Sequence, residues 1–220
     1  MVLAVLLGCQ KQHPMKVYVD AALSPTAIEK VAVFSFGSML HHADDPDGVA
    51  PEALEKYFMP QLDTRNDYNF IAPQSVLYAV QGLGQEEQLQ QFIKSWPNEK
   101  KPDMTLLTAL AERLDCDAFL VPVVDLWQKD EADVGENATP ATYVGATISL
   151  LDAKTGSVLF EASDEDYMEG ARTETGDRSV LRGGSGSVKS DMGARVHRAP
   201  EFEGVIQKVV TALVGSLPAR

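Results

Sequence analysis

The segment "ATYVGATISLLDAKTGSVLFEAS", residues 141–163, constrains the fold more than any other part of the chain. Apolar side chains occupy every second position of its first half: Val144, Ala146, Ile148 and Leu150. Such period-two alternation predicts a strand with one apolar face and one mixed face. Gly156 can take the positive φ that the tight connection "DAKTG" requires, and "SVLFEAS" can return beside the first strand. We therefore predict an antiparallel β-hairpin here.

The part of the chain before this hairpin predicts strands that alternate with helices. The run "KVAVFSF" is apolar on successive positions, which is typical of a central strand covered on both faces. Four helices are predicted in "APEALEKYFMPQL", "PQSVLYAV", "QEEQLQQFIKSW" and "DMTLLTALAERLD". Pro60 should end or kink the first of them, and the third should stop before Pro97. A last amphipathic helix is predicted in "EFEGVIQKVVTALVGSL".

This order of elements predicts an α/β fold. We expect a single layered domain with a mixed sheet, in which the early strands are parallel and the later hairpin is antiparallel, covered by helices. The length of 220 residues and a hydrophobic content of 45% suffice for a core of ordinary size. A short apolar stretch near the N-terminus, "KVYV", could add an edge strand.

The N-terminal segment "VLAVLLGCQKQ" resembles the end of a bacterial lipoprotein signal peptide. Residues 6–9, "LLGC", fit the lipobox pattern of an aliphatic residue, a tolerant position, a small residue and a Cys. The resemblance implies acylation of Cys9 and cleavage that makes it the new amino terminus. Gln10, directly after the Cys, resembles the outer-membrane default, because Asp at this position is the usual inner-membrane retention signal. A buried strand with an incidental Cys is the alternative interpretation.

The lipobox interpretation divides the chain into three parts. Residues 1–8 are expected to be a signal-peptide remnant, whose missing basic start places the true initiation site further upstream. Residues 9–24 are expected to be the lipidated Cys and its tether, and residues 25–220 the α/β domain. Cys116 would then be the remaining thiol, and we expect a buried core residue without a disulfide partner.

Charge and hydropathy narrow the classes of partner. The formal net charge is -13, which works against sequence-independent binding to nucleic acid. No stretch reaches the roughly 18–20 apolar residues of a membrane-spanning helix. A membrane link is therefore expected only through a lipid on Cys9, with palmitate as the acyl group.

The sequence offers weak signals of chemistry. His41, His42 and Asp44 lie in one polar loop and are the candidate metal ligands, but their spacing fits neither a calcium loop nor a zinc site. The segment "GGSGSVKS" lacks the ending of a phosphate-binding loop, so residues 183–195 are read as a flexible loop whose role stays open. We expect no catalytic residues, no enzyme activity and no cofactor.

Two aromatic residues are the candidate partner-binding residues. Trp127 and Tyr167 fall at predicted strand ends among charged residues, where an exposed aromatic side chain can mark a binding face. Core packing is the alternative for both.

The segments "IEKVAVFSFGSM", "LAERLDCDAFLVPVVDLW" and "GATISLLDAKTGSVLFEAS" resemble bacterial periplasmic lipoproteins whose domain is similar to the amino-terminal domain of TolB. That group includes the curli secretion-channel lipoprotein and the lipoprotein activators of penicillin-binding proteins. The chain departs from many relatives at Ser35, where they carry Pro, and at Phe160, where they carry Trp. The resemblance implies a non-catalytic envelope module that works by protein contact.

The expected function is therefore that of a lipid-anchored protein at the periplasmic face of the outer membrane, which binds an unknown envelope protein. One alternative is a subunit of a homo-oligomeric envelope or secretion assembly. The other is an enzyme or a binder of small ligands or metal that uses the loop of residues 41–47. The sequence names neither the partner nor the process.

Overall fold

The computed structural model describes residues 14–133, 139–170 and 196–220. Cys9, residues 1–8 and the loop of residues 183–195 therefore lie outside the described residues. The strands are β1 (Lys16–Val19), β2 (Lys30–Val33), β3 (Gly37–Ser38), β4 (Asn69–Ile71), β5 (Ala118–Asp130), β6 (Ala132–Asp133), β7 (Ala141–Asp152), β8 (Val158–Glu169) and β9 (Val196–His197). The helices are α1 (Ala50–Leu62), α2 (Pro73–Leu83), α3 (Glu86–Glu99), α4 (Met104–Leu114) and α5 (Phe202–Ser216).

The main sheet has the order β1-β8-β7-β5-β2-β4, and β3 pairs with β5 beside this path. Strand β2 is parallel to both β4 and β5, whereas β5, β7, β8 and β1 pair antiparallel in turn. Strands β6 and β9 form a separate two-stranded sheet. The predicted α/β fold with a mixed sheet, parallel early strands and an antiparallel hairpin is confirmed.

Strand β2 lies in the middle of the core, because both of its faces are covered. Val31 and Val33 pack in the cluster formed with α1 and α5. Ala32 and the following Phe34 pack in the cluster formed with α2, α3 and α4. The continuous apolar run in the sequence therefore forms a central strand covered on both faces, as predicted.

The β7–β8 hairpin also forms as predicted. Gly156 has φ of 69°, and a Cβ atom there would come within 2.7 Å of Cβ of Pro102. The position therefore needs glycine for its backbone conformation and for space. The pairing of β5 with β7 shifts register between Val124 and Leu126, so Asp125 is the extra residue of a β-bulge.

The two halves of the sheet are covered differently. Helix α5 packs on β7 and β8, while α2, α3 and α4 pack on the other side of the sheet, over β2 and β5. On the second face of the hairpin, Leu151 and Val158 at one end pack with α2, α3 and α4, and beyond them the described helices form no comparable contact with β7 or β8. None of the helices that the structure describes is long and apolar enough to cross a membrane.

The prediction that the third helix stops before Pro97 is wrong. Helix α3 continues through Pro97 to Glu99 and ends at Lys100, which adopts the left-handed conformation with φ of 49°. Proline removes the hydrogen bond to the carbonyl four residues earlier, that of Ile93. A Cβ atom on Gly37 would lie 3.1 Å from the Ile93 oxygen, so β3 packs closely against this carbonyl. Tertiary packing thus carries the helix past its proline.

Both ends of the described chain are fixed to the domain. Strand β1 lies within the expected tether and pairs with β8 at the edge of the sheet. At the other end, the guanidinium of Arg65 donates to the backbone oxygens of Val214, Leu217 and Pro218. Arg65 therefore satisfies carbonyl groups that the end of α5 leaves without helical partners.

Candidate interaction face

The uncovered side of β7 and β8, together with the end of β5, is the candidate functional site, and we call it the open face. Cross-strand pairs on this side join Tyr143 to Tyr167, Gly145 to Glu165, Thr147 to Ser163 and Ser149 to Glu161. Period-two alternation sends the intervening residues toward α5. The open face is therefore polar and aromatic, while the opposite side of the same strands is apolar.

Asp125 lies at the centre of the open face because the β-bulge directs its side chain there. Its Oδ2 accepts a hydrogen bond from Oγ1 of Thr147 at 2.7 Å, and its Oδ1 is buried without a hydrogen-bond partner in the described structure. Burial raises the pKa of the Asp125 carboxyl, and the nearby Glu165 raises it further. Gly145 leaves the room for both carboxylate side chains, since a Cβ atom would lie 2.5 Å from Oδ1 of Asp125 and 3.0 Å from Cγ of Glu165.

One end of the open face is held by an ion pair. Nζ of Lys100 donates to Oε2 of Glu161 at 2.6 Å, and Oγ of the buried Ser149 donates to the same oxygen at 2.8 Å. Lys100 follows α3, so this contact ties the helical layer to the edge of the open face. The charge of Glu161 is therefore balanced locally.

The other end of the open face carries an aromatic pair. The rings of Tyr143 and Tyr167 stack with centroids 5.7 Å apart and an interplanar angle of 24°. Both side chains are half-buried. The pKa of the Tyr143 hydroxyl is raised, first by burial and then by the negative charges of Asp130 and Glu169. Two carboxylates therefore lie near the stacked rings.

The arrangement suits the binding of cationic groups. Aromatic faces attract ammonium and guanidinium groups, and carboxylates beside them add Coulombic attraction. Asp130, Glu165 and Glu169 are exposed, and in the part of the chain that the structure describes none of them forms an ion pair. Within the described ranges, no group of three or more His, Cys, Asp and Glu residues is placed to hold a metal ion.

A second depression lies on the opposite side of the sheet, between β8 and α5. It has a volume of about 700 Å³ and is lined in part by Met15, Asp164 and Lys208. Burial raises the pKa of the Asp164 carboxyl, and the neighbouring carboxylates Asp166 and Glu165 raise it further. Lys208 lies 3.7 Å from Asp166, so this wide cleft already contains a cation beside its carboxylates.

The two aromatic candidates lie in different environments. Tyr167 is on the open face, as described above. Trp127 is only 7% exposed, and its ring stacks on Phe202 of α5 with centroids 3.7 Å apart and an angle of 6°. The prediction of an exposed Trp127 is therefore wrong, because it faces α5 and Phe202 covers the indole.

The loop of the candidate metal ligands has a structural role. His41, His42 and Asp44 are exposed. The neighbouring Asp45 is buried and accepts hydrogen bonds from the backbone N–H groups of Val49 and Ala50, both at 2.9 Å. These donors belong to the start of α1, where backbone N–H groups lack helical partners. Asp45 therefore fixes the entry of the chain into α1.

Cys116 is a buried free cysteine, as expected from its sequence context. Burial raises the pKa of its thiol to about 11, and the charge of Asp117 adds to this effect. The thiol is therefore protonated and unreactive at neutral pH.

Sequence reasoning missed the central residues of the open face. The alternation around Gly145, Thr147 and Ser149 predicted a mixed face, but it gave no reason to place Asp125 opposite them. The signal that could have found it is "VVDLW", a charged residue inside a strand that is otherwise apolar. A charged residue at such a position indicates either a strand end or a bulge.

No protein-family model matches the chain, and no curated protein matches it. The fold is similar to that of several solved structures. A PelC dodecamer from Paraburkholderia phytofirmans aligns with 94% of this chain and 98% of its own, at 15% identity and a TM-score of 0.49. Lipoprotein GNA1162 from Neisseria meningitidis aligns with 67% of this chain and 88% of its own, at 15% identity and a TM-score of 0.44.

The C-terminal domain of LpoB from Escherichia coli aligns with 63% of this chain and 82% of its own, at 15% identity and a TM-score of 0.36. At this level of similarity the comparison concerns the fold alone.

Proposed function

We propose that this protein is a non-catalytic, lipid-anchored interaction module at the periplasmic face of the outer membrane, and that its open face binds a basic segment of another envelope protein. The observation that carries this proposal is the Tyr143–Tyr167 stack beside exposed carboxylates. A Lys- or Arg-rich segment is the partner whose charge and shape complement such a surface.

The energetics favour a cationic polypeptide over a neutral one. A guanidinium or ammonium group over an aromatic face contributes about 0.5–2 kcal/mol, depending on how far it is desolvated. The exposed carboxylates Glu165 and Glu169 lie on the same strand as Tyr167, so an extended basic segment could meet several of these groups at once. The overall charge of -13 adds long-range attraction for a basic partner.

The half-buried Asp125 supports a role in recognition. Its Oδ1 is buried without a partner beside Gly145, where a Cβ atom would lie 2.5 Å from it. A buried polar atom without a partner costs about 1–3 kcal/mol, and a donor supplied by a bound partner would remove this cost. Asp125 is therefore the position where a partner's N–H group gains most.

The lipid anchor is supported by the lipobox at residues 6–9. Stable anchoring needs more than a single acyl chain, and lipoprotein maturation adds several. Acylation of Cys9 would therefore retain the domain at the membrane surface. Replacement of Cys9 by Ser should abolish globomycin-sensitive processing and palmitate labelling in cells. Palmitate labelling that persists in the Cys9→Ser protein would contradict the anchor.

The binding face is tested by photo-crosslinking in cells. A photoreactive amino acid at position 167 should crosslink to a Lys- or Arg-rich segment of another envelope protein, identified by peptide mass spectrometry. The control places the same amino acid at Tyr78, which is 64% exposed on α2, a helix that packs at the β2 end of the sheet. Equal crosslinking from both positions would contradict the proposal. Crosslinks only to a second copy of this chain would favour the homo-oligomeric alternative.

A charge reversal provides the complementary test in vitro. Glu165→Lys should weaken the binding of the crosslinked segment by roughly tenfold or more, because it places like charges opposite each other. Glu112→Lys, an exposed position on α4, makes the same change in net charge away from the open face and should leave affinity nearly unchanged. Equal losses in both variants would show that only net charge matters.

A further inference from the structure

The outer edge of β1 is an exposed and largely apolar surface. Val17, Tyr18 and Val19 are 50%, 52% and 55% exposed, and β1 pairs only with β8 among the described strands. Val17 and Val19 lie toward the side of the sheet covered by α5, and Lys16 and Tyr18 toward the open face, because neighbouring residues of a strand alternate. The edge thus presents apolar, amphipathic and basic side chains together.

The position of this edge in the chain restricts what can cover it. Seven residue steps separate Cys9 from Lys16, where β1 begins, and a fully extended chain spans at most about 3.6 Å per residue. An anchor at Cys9 therefore keeps the start of β1 within about 25 Å of the lipid surface. No other strand of the main sheet is tied to the anchor by so few residues.

A second exposed apolar surface, on α2, lies farther from the anchor than the edge at β1 does. Leu77, Tyr78 and Leu83 are exposed there, and α2 packs at the β2 end of the sheet. Adjacent strands are spaced by about 4.8 Å, so the five intervals from β1 to β4 span about 24 Å. The edge at β1 is thus the exposed apolar surface nearest to the anchor.

We infer that the β1 edge is the membrane-facing side of the anchored protein and that it rests against the lipid headgroups; this inference rests on the proposed acylation of Cys9. Tyrosine suits this depth, since it places an apolar ring and a polar hydroxyl at the boundary between lipid and water. The tether supplies a high local concentration of lipid, so a weak contact is enough to fix orientation. The open face then stays free for a protein partner.

A second copy of the chain fits this edge less well than a lipid surface. Four strand residues bury far less than the roughly 1,200 Å² of a stable protein interface. Each copy also carries a net charge of -13, which opposes close association of two such edges. Contact with a neutral phospholipid surface needs no such protein interface area and meets no repulsion from a second negatively charged chain.

The test uses the full lipidated protein in vesicles of a zwitterionic phospholipid. Val19→Cys and, as a matched control, Tyr78→Cys are labelled with a polarity-sensitive fluorophore, because both positions are exposed and neither side chain is in the core. Cys116 is buried with its pKa raised to about 11 and does not compete for the label. The probe at 19 should be blue-shifted and quenched by headgroup-attached quenchers, whereas the probe at 78 should not.

The outcomes separate the orientation from the anchor. If neither labelled protein floats with the vesicles, acylation has failed and both proposals are wrong. If both float and both probes are quenched equally, the anchor stands and the orientation is wrong.

Hydrogen–deuterium exchange of the unlabelled protein gives a second readout. Amides of β1 should exchange more slowly in the vesicle-bound protein than in protein whose lipid has been removed and which is dissolved in detergent-free buffer. Protection that rises with protein concentration in the absence of vesicles would instead place a second copy on this edge and overturn the inference.

Discussion

A Cβ atom on Gly145 would lie 2.5 Å from Oδ1 of Asp125 and 2.9 Å from Cβ of Leu126. Neither neighbour can move freely, because both belong to the bulged segment of β5. We expect Gly145→Ala to destabilise the protein by about 2 kcal/mol, in the range of overpacking substitutions. Urea unfolding followed by circular dichroism measures this change.

Gly82 provides the matched control. It lies in α2, and an added Cβ atom would meet nothing within 4 Å. Gly82→Ala should be neutral or stabilise by up to about 1 kcal/mol, because alanine is the better helix former. A loss in Gly82→Ala as large as that in Gly145→Ala would show that the close approach to Asp125 is not the cause.

The stability of the protein should depend on the ionisation of Asp125. Its folded-state pKa is raised above the ordinary value of 3.8, mainly by burial. Protonation therefore favours the folded state: the contribution is fully present below the unfolded pKa and is lost as the pH rises through the folded pKa. Asp125→Asn should be more stable than the natural protein at neutral pH by about 1 kcal/mol, and the difference should disappear at about pH 3.

Thermal unfolding of both proteins between about pH 3 and pH 7 measures this difference. Glu112→Gln removes one charge from an exposed position and should show no comparable pH-dependent gain. If Asp125→Asn is less stable at neutral pH, the hydrogen bond from Thr147 outweighs the burial of the charge.

The Trp127–Phe202 stack should fix the start of α5. Phe202 is partly exposed, and Nζ of Lys129 lies 4.9 Å from its ring centroid. Phe202→Ala removes the cover of the indole, so we expect a loss of about 2 kcal/mol and a red shift of tryptophan emission. Tyr78→Ala, at an exposed site on α2, should change neither quantity, and an unshifted spectrum in Phe202→Ala would show that Trp127 stays covered.

Asp45 should matter for stability and its neighbour Asp44 should not. Asp45→Ala removes the acceptor of two backbone N–H groups at the start of α1, so about 1–2 kcal/mol should be lost. Asp44→Ala changes the same charge in the same loop and should cost less than about 0.5 kcal/mol. Zinc should raise the melting temperature of neither variant, and a rise that requires His41 or His42 would restore the metal-binding alternative.

Much of the fold is predictable because local patterns and tertiary packing agree. The alternation in β7, the turn glycine Gly156 and the continuous apolar run of β2 each predict an element that forms. Pro97 is the exception, since local chemistry predicts a helix end and packing against Gly37 carries the helix onward. Local rules fail where contacts distant in sequence decide.

The open face is less predictable than the fold for the same reason. Tyr167 could be selected as an aromatic residue among charges, but its partner Tyr143 is 24 positions away in sequence, and only the strand pairing places the two side by side. Asp125 reaches the face only through a one-residue shift of register, and no local pattern gives the position of that shift. Trp127 lies after the shift and faces α5, which is why it is buried.

Strand β1 belongs to two parts of the molecule, since it is the last segment of the expected tether and the first strand of the sheet. It has four residues, all exposed, so little apolar burial holds it to β8. If β1 detaches from β8, residues 14–23 become part of the tether and lengthen it by about 35 Å. In an anchored domain with such a strand, the distance between anchor and domain is short while β1 is paired and becomes long when a pulling force detaches β1. If Cys9 is acylated as proposed, the pairing of β1 with β8 would set the force at which the domain can move away from the membrane surface toward a distant partner.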